Sequence, residues 1–262
     1  MNHSLADKHA LVCGASEGIG RASAIALAEA GASVTVLARR QVKLQQLVDD
    51  LPRPNARQQH GWLAADVTEP DALRAVVEAA VAKSPVHVLV NNTAGPPGGT
   101  ASEALPEFYL AVFRQHLIAN QVLLQAVLPG MRAAKWGRIV NIISTSVKEP
   151  IAGLGVSNTI RGAVASWAKT LAGELGADGI TVNNVLPGYT RTQRLEQILA
   201  ERAKATGKPE DAIAAGMLAT VPAGRFAEAA EIAAAVAFLC SPDAAYINGV
   251  NLPVDGGRTR SL

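Results

Sequence analysis

Short runs of apolar, often β-branched residues alternate along this chain with longer segments rich in Ala and Leu. The short runs carry apolar residues at consecutive positions, which is typical of strands covered on both faces. The longer segments repeat apolar residues every three or four positions, which predicts helices with one buried face. We predict strands at 10–14, 33–38, 61–64, 86–91, 138–143, 180–185 and 249–252, and helices at 20–30, 41–51, 71–82 and 162–175.

This alternation predicts a doubly wound α/β fold, with a seven-stranded, mostly parallel sheet and helices on both faces. A length of 262 residues, 49% of them hydrophobic, suits one domain with a sizeable core, and we interpret 1–262 as that domain. The region at about 187–225 is charged, rich in helix breakers and interrupts the alternation. In this architecture it is an insertion above the carboxyl ends of the strands, where ligands bind.

Charge and cysteine usage narrow the class of partner. A formal net charge of +2 is too small to predict nucleic acid or a membrane surface as a partner. Cys13 and Cys240 both sit in apolar runs, which predicts reduced core thiols and a cytoplasmic protein. The Ala-rich stretch 227–240 is broken by Glu228 and Glu231 and is too short to span a bilayer. We predict no metal site.

A glycine-rich turn, GASEGIG at 14–20, follows the first predicted strand and opens the first helix. Glycine permits a tight turn and a close approach of the backbone to a pyrophosphate, and a helix N-terminus offers free N–H groups and partial positive charge. The strand–turn–helix context makes this motif a strong indication of a Rossmann-type dinucleotide site. The alternative, an ordinary glycine-rich turn, fits that context less well.

The end of the second strand bears on which dinucleotide is bound. An acidic residue there accepts the ribose 2′-hydroxyl, whereas an arginine accepts a 2′-phosphate. Here Ala38 is followed by Arg39 and Arg40, which favours NADP(H) over NAD(H). Glu17 in the glycine turn argues the other way, since it can lie near that phosphate. The alternative is that both arginines are solvated residues at the start of a helix.

Together these motifs resemble classical short-chain dehydrogenases/reductases over nearly the whole chain, and most of all the 3-oxoacyl-carrier-protein reductases within that family. The resemblance implies an NAD(P)-dependent oxidoreductase acting on CH–OH groups. It rests on the following segments, the third of which matches the family's Asn-Asn-Ala-Gly only in part: the glycines Gly14, Gly18 and Gly20; Asp66-Val67 after the third strand; Asn91-Asn92-Thr93-Ala94; Pro187, Gly188 and Thr192; and the run from Gly249 to Gly257.

The family's catalytic set is altered in this chain. Its Ser, six residues after Arg138 of a Gly-Arg pair, corresponds to Ser144. Its Tyr follows thirteen residues later and its Lys four after that, and these positions hold Ser157 and Arg161. Its helix Asn falls on His116. The resemblance thus assigns the catalytic positions to His116, Ser144, Ser157 and Arg161, but only the serine at 144 matches the family's residue type.

The acidity of Ser157 argues against a simple replacement of the Tyr. A Tyr has a pKa near 10, whereas an aliphatic hydroxyl is closer to water, at about 15.7. The gap of about six units corresponds to roughly 8 kcal/mol of proton-transfer driving force. Arg161 can hydrogen-bond the nicotinamide ribose and hold positive charge near the reacting oxygen, but it stays protonated and is a poor proton relay.

Other groups near these positions remain alternatives. His116 has an unperturbed pKa near 6.5 and can serve in proton transfer, or it is a packed helix residue. Tyr189 follows the Pro-Gly turn and either presents its phenol to substrate or packs as an aromatic. Lys148 and Glu149 lie in a loop that faces substrate in the family, or form a solvated charge pair.

Two functions therefore stay open. The first is an NADP(H)-dependent oxidoreductase with an atypical active site that transfers hydride to or from a carbonyl or alcohol of a small molecule. The second is a non-catalytic or weakly catalytic relative that binds a dinucleotide in a structural or sensing role. The resemblance also implies a homo-oligomer, a tetramer, paired through segments at about 103–131 and 155–177 and the last strand. The implied cofactor-binding residues are Gly14, Ser16, Glu17, Gly18, Ile19, Gly20, Arg39, Arg40, Asp66, Val67, Asn91, Asn92, Arg161, Pro187, Gly188, Thr190 and Thr192.

Overall fold

The computed structural model describes residues 4–261. Its main sheet has seven strands in the order β3-β2-β1-β4-β5-β6-β9, and every pairing in it is parallel. Two short strands, β7 and β8, pair with each other apart from this sheet. The strands are β1 His9–Cys13, β2 Ser33–Ala38, β3 Gly61–Ala64, β4 Val88–Asn91, β5 Gly137–Ile142, β6 Ile180–Pro187, β7 Thr190–Arg191, β8 Ala227–Glu228 and β9 Asn251–Val254.

Helices cover both faces of the sheet, so the predicted doubly wound fold is confirmed. On one face α1 packs against α9, and on the other α3 packs against α5. The α-helices are α1 Gly18–Glu29, α2 Gln41–Asp50, α3 Pro70–Val81, α4 Pro106–Phe113, α5 Ala119–Ala134, α6 Gly155–Leu175, α7 Gln193–Thr206, α8 Glu210–Leu218 and α9 Ala229–Cys240.

The continuous apolar runs divide between two cores because successive strand residues point to opposite faces. Leu11 and Leu89 lie in the core under α3, α5 and α6, whereas Val12 and Val90 lie in the core under α1 and α9. All six residues of β5 are buried, as its central position requires. Burial of this apolar surface is the main stabilising contribution to the fold.

The sequence placed some element boundaries wrongly. Helix α6 begins at Gly155 rather than at 162, because Val156 and Ile160 pack into a cluster with Val112 and so extend the helix. The last strand lies at 251–254 rather than 249–252, since Gly249 adopts a φ of +74° in the turn before it. The breaker-rich region at about 187–225 is mostly helical and contains α7 and α8.

A line of asparagines crosses four neighbouring strands. Asn91 of β4 donates to Asn141 of β5, Asn141 to Asn184 of β6, and Asn184 to Asn251 of β9, each at 2.8 Å. Each pair also stands in direct register in the sheet. The oxygen of the Asn91 amide accepts no hydrogen bond from the part of the chain that the structure describes. The line therefore replaces apolar packing with side-chain hydrogen bonds across half of the sheet.

Both cysteines are free and buried, and burial raises the pKa of each thiol to about 12. They pack as small apolar residues of the core. Within residues 4–261 no helix is long and apolar enough to cross a membrane. The same part of the chain has no cluster of His, Cys, Asp or Glu placed to hold a metal ion.

Candidate active site

A cleft of about 830 Å³ opens at the carboxyl ends of the strands, where the loops after β1 to β6 meet the start of α7. This is the place where doubly wound folds bind ligands. The sequence-predicted residues that line it are Gly14, Ser16, Glu17, Gly18, Ile19, Arg39, Arg40, Asp66, Val67, Asn92, Ser144, Ser157, Arg161, Pro187, Gly188, Thr190 and Thr192. Gly20, Asn91 and His116 were also predicted but lie behind this lining.

The glycine turn forms the floor of the cleft at the N-terminus of α1. Gly14 has a φ of +60° and Gly18 a φ of +57°, which side chains rarely tolerate. A Cβ on Gly14 would stand 2.5 Å from the carbonyl oxygen of Asn92, and one on Gly20 would collide with the carbonyl of Gly14. The turn thus leaves a bare backbone cradle beside free helix N–H groups, which suits a pyrophosphate.

The arginines after β2 both face carboxylates. Arg40 lies 2.5 Å from Glu17, which also accepts from Lys43 at 3.3 Å. Burial raises the pKa of Glu17, but hydrogen bonds from Arg40 and Lys43 outweigh it, so that the net pKa lies below the ordinary value. Arg39 lies 3.8 Å from Asp66. Glu17 therefore does lie beside the arginines, and Lys43 adds a cation that the sequence reading missed.

Asp66 is held in place by its own loop. Its Oδ1 accepts from the backbone N–H and the hydroxyl of Thr68, at 2.9 and 2.8 Å. The Thr68 amide is the main cause that lowers the pKa of Asp66, so this carboxylate is ionised at neutral pH. An ionised, fixed carboxylate at the edge of the cleft is suited to accept hydrogen bonds from an adenine or ribose.

At the other end of the cleft, Ser144 follows β5, while Ser157 and Arg161 lie one turn apart on α6. The Ser144 hydroxyl accepts from the N–H of Ser146 at 3.1 Å. Ser157 is half-buried, and its hydroxyl makes no hydrogen bond within residues 4–261. The preserved spacing therefore puts both substituted positions on the cleft-facing side of one helix.

Arg161 is the buried cation of this end. Its Nη1 donates to the carbonyl of Ile142 at 3.0 Å. Burial, and secondly the charge of Arg194, lower the pKa of Arg161 to about 10, so the guanidinium stays protonated at neutral pH. Arg194, at the start of α7, donates to the carbonyl of Pro96 at 2.8 Å. Its role was not predicted, because a single arginine at a helix start reads as a solvated residue.

His116 does not have the titration for which the sequence proposed it. It lies in a π-helical turn, 114–118, between α4 and α5 and is buried at 3% exposure. Burial, and secondly the charge of Arg161, lower its pKa to about 2, so the ring is neutral at pH 7. Its Nδ1 is paired with the hydroxyl of Thr93 at 2.5 Å, and its Nε2 has no hydrogen-bond partner among residues 4–261. It packs behind the cleft wall.

Of the alternative groups on nearby loops, Tyr189 faces the cleft, whereas Lys148 and Glu149 do not. Tyr189 lines the cleft, meets Phe226 edge-on at 6.2 Å and lies under the guanidinium of Arg258 at 4.7 Å. Lys148 and Glu149 do not line the cleft. Glu149 instead accepts the backbone N–H groups of Arg260 and Ser261 at 2.6 and 2.7 Å, which ties down the C-terminal segment.

The start of α7 closes over the glycine turn. The methyl group of Thr192 would be 3.3 Å from a Cβ on Gly18. The next residue, Gln193, has its amide beside Glu17, and with the amide nitrogen turned toward the carboxylate it donates to both oxygens, at 3.2 and 3.0 Å. Asn92 donates to the carbonyl of Gly14 at 3.2 Å. These contacts join three loops around the cradle. Gln193 carried no signal in the sequence, since an amide at a helix start reads as surface.

Known proteins resemble the chain over its full length. A family model described as "Enoyl-(Acyl carrier protein) reductase" matches residues 14–259. A 3-oxoacyl-(acyl-carrier-protein) reductase of Vibrio cholerae is 36% identical over 97% of this chain and 98% of that protein. The structure of an L-sorbose reductase from Gluconobacter frateurii, complexed with NADPH and L-sorbose, superposes with a TM-score of 0.92 at 30% identity, covering 100% of both chains.

A third similar protein is an NADPH-dependent reductase involved in bacilysin biosynthesis. Its crystal structure gives a TM-score of 0.91 at 28% identity, covering 97% of this chain and 99% of that one. These matches confirm the predicted resemblance to 3-oxoacyl-carrier-protein reductases. With the glycine cradle, the seven-stranded sheet and the family match agreeing, the chain belongs to the short-chain dehydrogenase/reductase family.

Proposed function

We propose that this protein is an NADP(H)-dependent oxidoreductase that transfers a hydride to or from the carbonyl or alcohol of a small molecule. The observation that carries the proposal is the cleft itself. One end has the bare glycine cradle and the cations Arg39 and Arg40, with Lys43 behind them on Glu17, and the other has a hydroxyl pair and a buried guanidinium. A relative named as an NADPH-dependent reductase, matched over 98% of the chain, and the L-sorbose reductase whose structure contains NADPH support the same class.

The cleft residues fit such a cofactor. Gly14 and Gly18 line the cleft with positive φ and no side chain, so their backbone is open to a group that approaches closely. Arg39 and Arg40 stand at the strand end where a 2′-phosphate is recognised. When bound, the dinucleotide supplies the hydride. The chain's own residues would bind and orient: Arg161 beside the ribose, and Ser144 as a hydroxyl donor to the substrate oxygen.

The unusual part of the proposal is the proton. Ser157 has the acidity gap described above, and His116 is buried, neutral and engaged with Thr93. We propose that neither is the proton donor: the positive charge of Arg161 nearby favours the alkoxide that hydride transfer forms, and water in the cleft then supplies its proton. This arrangement suits substrates that need little help from an acid.

A second candidate is a weakly catalytic or non-catalytic dinucleotide-binding protein. The observation that favours it is the serine at position 157, which has no hydrogen-bonded base or acid within residues 4–261. Under this reading the cradle would still bind dinucleotide, but no substrate would be turned over at a useful rate.

One assay separates the two. NADPH oxidation is followed with a panel of ketones, 3-oxoacyl thioesters and imines, alongside direct titration of NADPH and NADH. The enzyme proposal expects turnover of at least one class and tighter binding of NADPH. Arg39→Asp should reverse the cofactor preference. The control is Arg57→Asp, the same charge change at an exposed arginine that pairs with Asp7 outside the cleft. Tight NADPH binding with no turnover of any class would favour the second candidate.

We also propose a homo-oligomer, a tetramer, in the cytoplasm. Leu105 and Leu110, each 69% exposed at α4, support an interface in the segment at about 103–131. The free, buried thiols Cys13 and Cys240 suit a reducing compartment. A sedimentation experiment at micromolar concentration tests the assembly, and a monomer mass would contradict it.

A further inference from the structure

Two arginines stand together at the substrate end of the cleft without a carboxylate partner. A Cβ added to Gly95 would have Nε of Arg194 at 3.7 Å, Nη2 of Arg161 at 3.9 Å and Nη2 of Arg194 at 4.0 Å. Both guanidinium groups therefore surround one point on the loop after β4. Both residues also line the cleft.

The remaining contacts of these two groups are to neutral atoms. Arg161 donates to the carbonyl of Ile142, and Arg194 donates to the carbonyl of Pro96. Within residues 4–261 neither makes an ion pair with Asp or Glu. The acidic residues of the cleft lining are Glu17 and Asp66, and both are engaged with cations after β2.

Holding two like charges together in a partly buried place is costly without a counter-ion. Arg161 is only 8% exposed, and its lowered pKa has the charge of Arg194 as its second cause. Several exposed arginines of this chain have a carboxylate partner, for example Arg225 with Glu231 at 2.6 Å and Arg57 with Asp7 at 3.2 Å. The pair at Gly95 is therefore arranged as a receptor for an anion that the chain does not supply.

The place of the pair in the fold separates this anion from the cofactor's phosphates. The glycine cradle follows β1 and the 39–43 cations follow β2. Arg161 on α6 and Arg194 at the start of α7 instead contact the end of β5 and the loop after β4, through the carbonyls of Ile142 and Pro96. Neighbouring strands are about 4.8 Å apart, so Ile142 at the end of β5 lies roughly 10 Å across the sheet from the end of β1. The half of a dinucleotide that reaches this end carries an uncharged ribose and the nicotinamide.

We propose that Arg161 and Arg194 bind a carboxylate of the substrate, so that the protein acts on small oxo acids or hydroxy acids rather than on neutral ketones. This proposal rests on the proposed function for the cleft. The forked guanidinium matches a carboxylate with two parallel hydrogen bonds. The carboxylate would fix the reacting carbon near Ser144 and provide the orientation that the missing Tyr does not.

The test uses the full chain saturated with NADP⁺, in which an oxo acid binds without reacting because both are oxidised. Acetoacetate and its methyl ester are titrated by calorimetry as a charged and a neutral probe of nearly equal shape. We expect acetoacetate to bind at least about tenfold more tightly, as hydrogen bonds to a charged group predict. Arg194→Gln should remove that preference and leave NADP⁺ affinity within about twofold.

Arg191→Gln is the matched control, because Arg191 is three residues away, exposed, paired with Glu228 at 3.0 Å and outside the cleft lining. It should keep the preference for the acid. Arg161→Gln should also remove the preference for the acid. If that variant does not fold, Arg161→Lys keeps the buried charge but loses the forked guanidinium, so it should reduce the preference for the acid over the ester.

Equal binding of acid and ester by the parent protein would overturn the proposal. So would a loss of NADP⁺ affinity of more than about tenfold in Arg194→Gln, which would assign the pair to the cofactor's phosphates. If the protein binds the acid more tightly than the ester but oxidises NADPH with no substrate class, the carboxylate-binding site is supported. The proposed catalytic function is then contradicted. The two failures are thus distinguishable.

Discussion

Glu17 is the residue whose removal most directly tests how the cofactor end of the cleft is tuned. Its carboxylate holds Arg40 at 2.5 Å and Lys43 at 3.3 Å, and it also accepts from Gln193. A 2′-phosphate has to compete with Glu17 for those two cations. We therefore expect Glu17→Gln to strengthen NADPH binding, because the cations become available without being moved out of the cleft.

The size of the effect follows from the exposure of the three groups. The side chains of Glu17, Arg40 and Lys43 are 44%, 47% and 46% exposed, so each ion pair is screened by solvent. Such pairs contribute about 0.2–1 kcal/mol each. Releasing two of them corresponds to roughly a 2- to 30-fold decrease in the Kd for NADPH. The Kd for NADH should change by less than about twofold, since it has no phosphate at that position.

The measurement is a fluorescence titration of NADPH and of NADH, at low and at high salt. The gain for NADPH should shrink as salt rises, because these charges are solvent-exposed. Asp50→Asn serves as the control, since Asp50 pairs with Arg21 at 3.6 Å on an exposed surface away from the cleft lining. Weaker NADPH binding in Glu17→Gln, or equal gains for both cofactors, would refute this account of the cations.

Further predictions address the other end of the cleft, the buried histidine and the cradle. Ser157→Ala should lower kcat/KM by less than about tenfold, whereas loss of a general acid typically costs 10²–10⁴. Loss of all turnover in Ser157→Ala, with unchanged cofactor affinity, would contradict the view that Ser157 is not the proton donor. The double change Ser157→Tyr with Arg161→Lys should raise turnover of simple ketones. The pKa of His116 is near 6.5 in the unfolded chain and about 2 in the folded protein, so unfolding takes up a proton below pH 6.5. The free energy of unfolding should therefore fall as pH drops below 6.5, by up to about 1.4 kcal/mol per pH unit. His116→Asn should reduce this slope in urea unfolding at several pH values, and an unchanged slope would contradict the prediction. Gly14→Ala should weaken NADPH binding and should lower the thermal stability more than Gly207→Ala does. Both glycines have a positive φ, but only a Cβ on Gly14 would face a backbone oxygen at 2.5 Å. Equal losses of thermal stability in the two variants would show that backbone strain alone matters.

Much of the fold could be predicted because its strands depend on local apolar runs. Strands β2 and β3 fall on the predicted residues, and the glycine turn lies where its spacing put it. Helix α6 was predicted to start too late. Its first two turns contain Gly155, Ser157 and Thr159, which are weak helix formers, and they become helical through packing of Val156 and Ile160 on α4.

Site residues that lie close together in the sequence could be predicted. Contacts between residues that are far apart in the sequence could not. The spacing from Ser157 to Arg161 is a single helical turn, so counting residues put both on one face. Arg194 reaches the carbonyl of Pro96, which is 98 positions away in the chain, and no local pattern reports such a contact. The burial of His116 likewise depends on a π-helical turn that has no signature in five residues of sequence.

The line of asparagines through β4, β5, β6 and β9 limits how this sheet can diverge. Replacing Asn141 alone with an apolar residue would strand the Asn91 donor and the Asn184 acceptor, and each buried orphan costs about 1–3 kcal/mol. Replacing all the members together by apolar residues of similar size removes the orphans and can be nearly neutral. Single-step substitution is therefore blocked at each position, while the complete exchange is tolerated. Relatives should accordingly carry either the whole line or none of it.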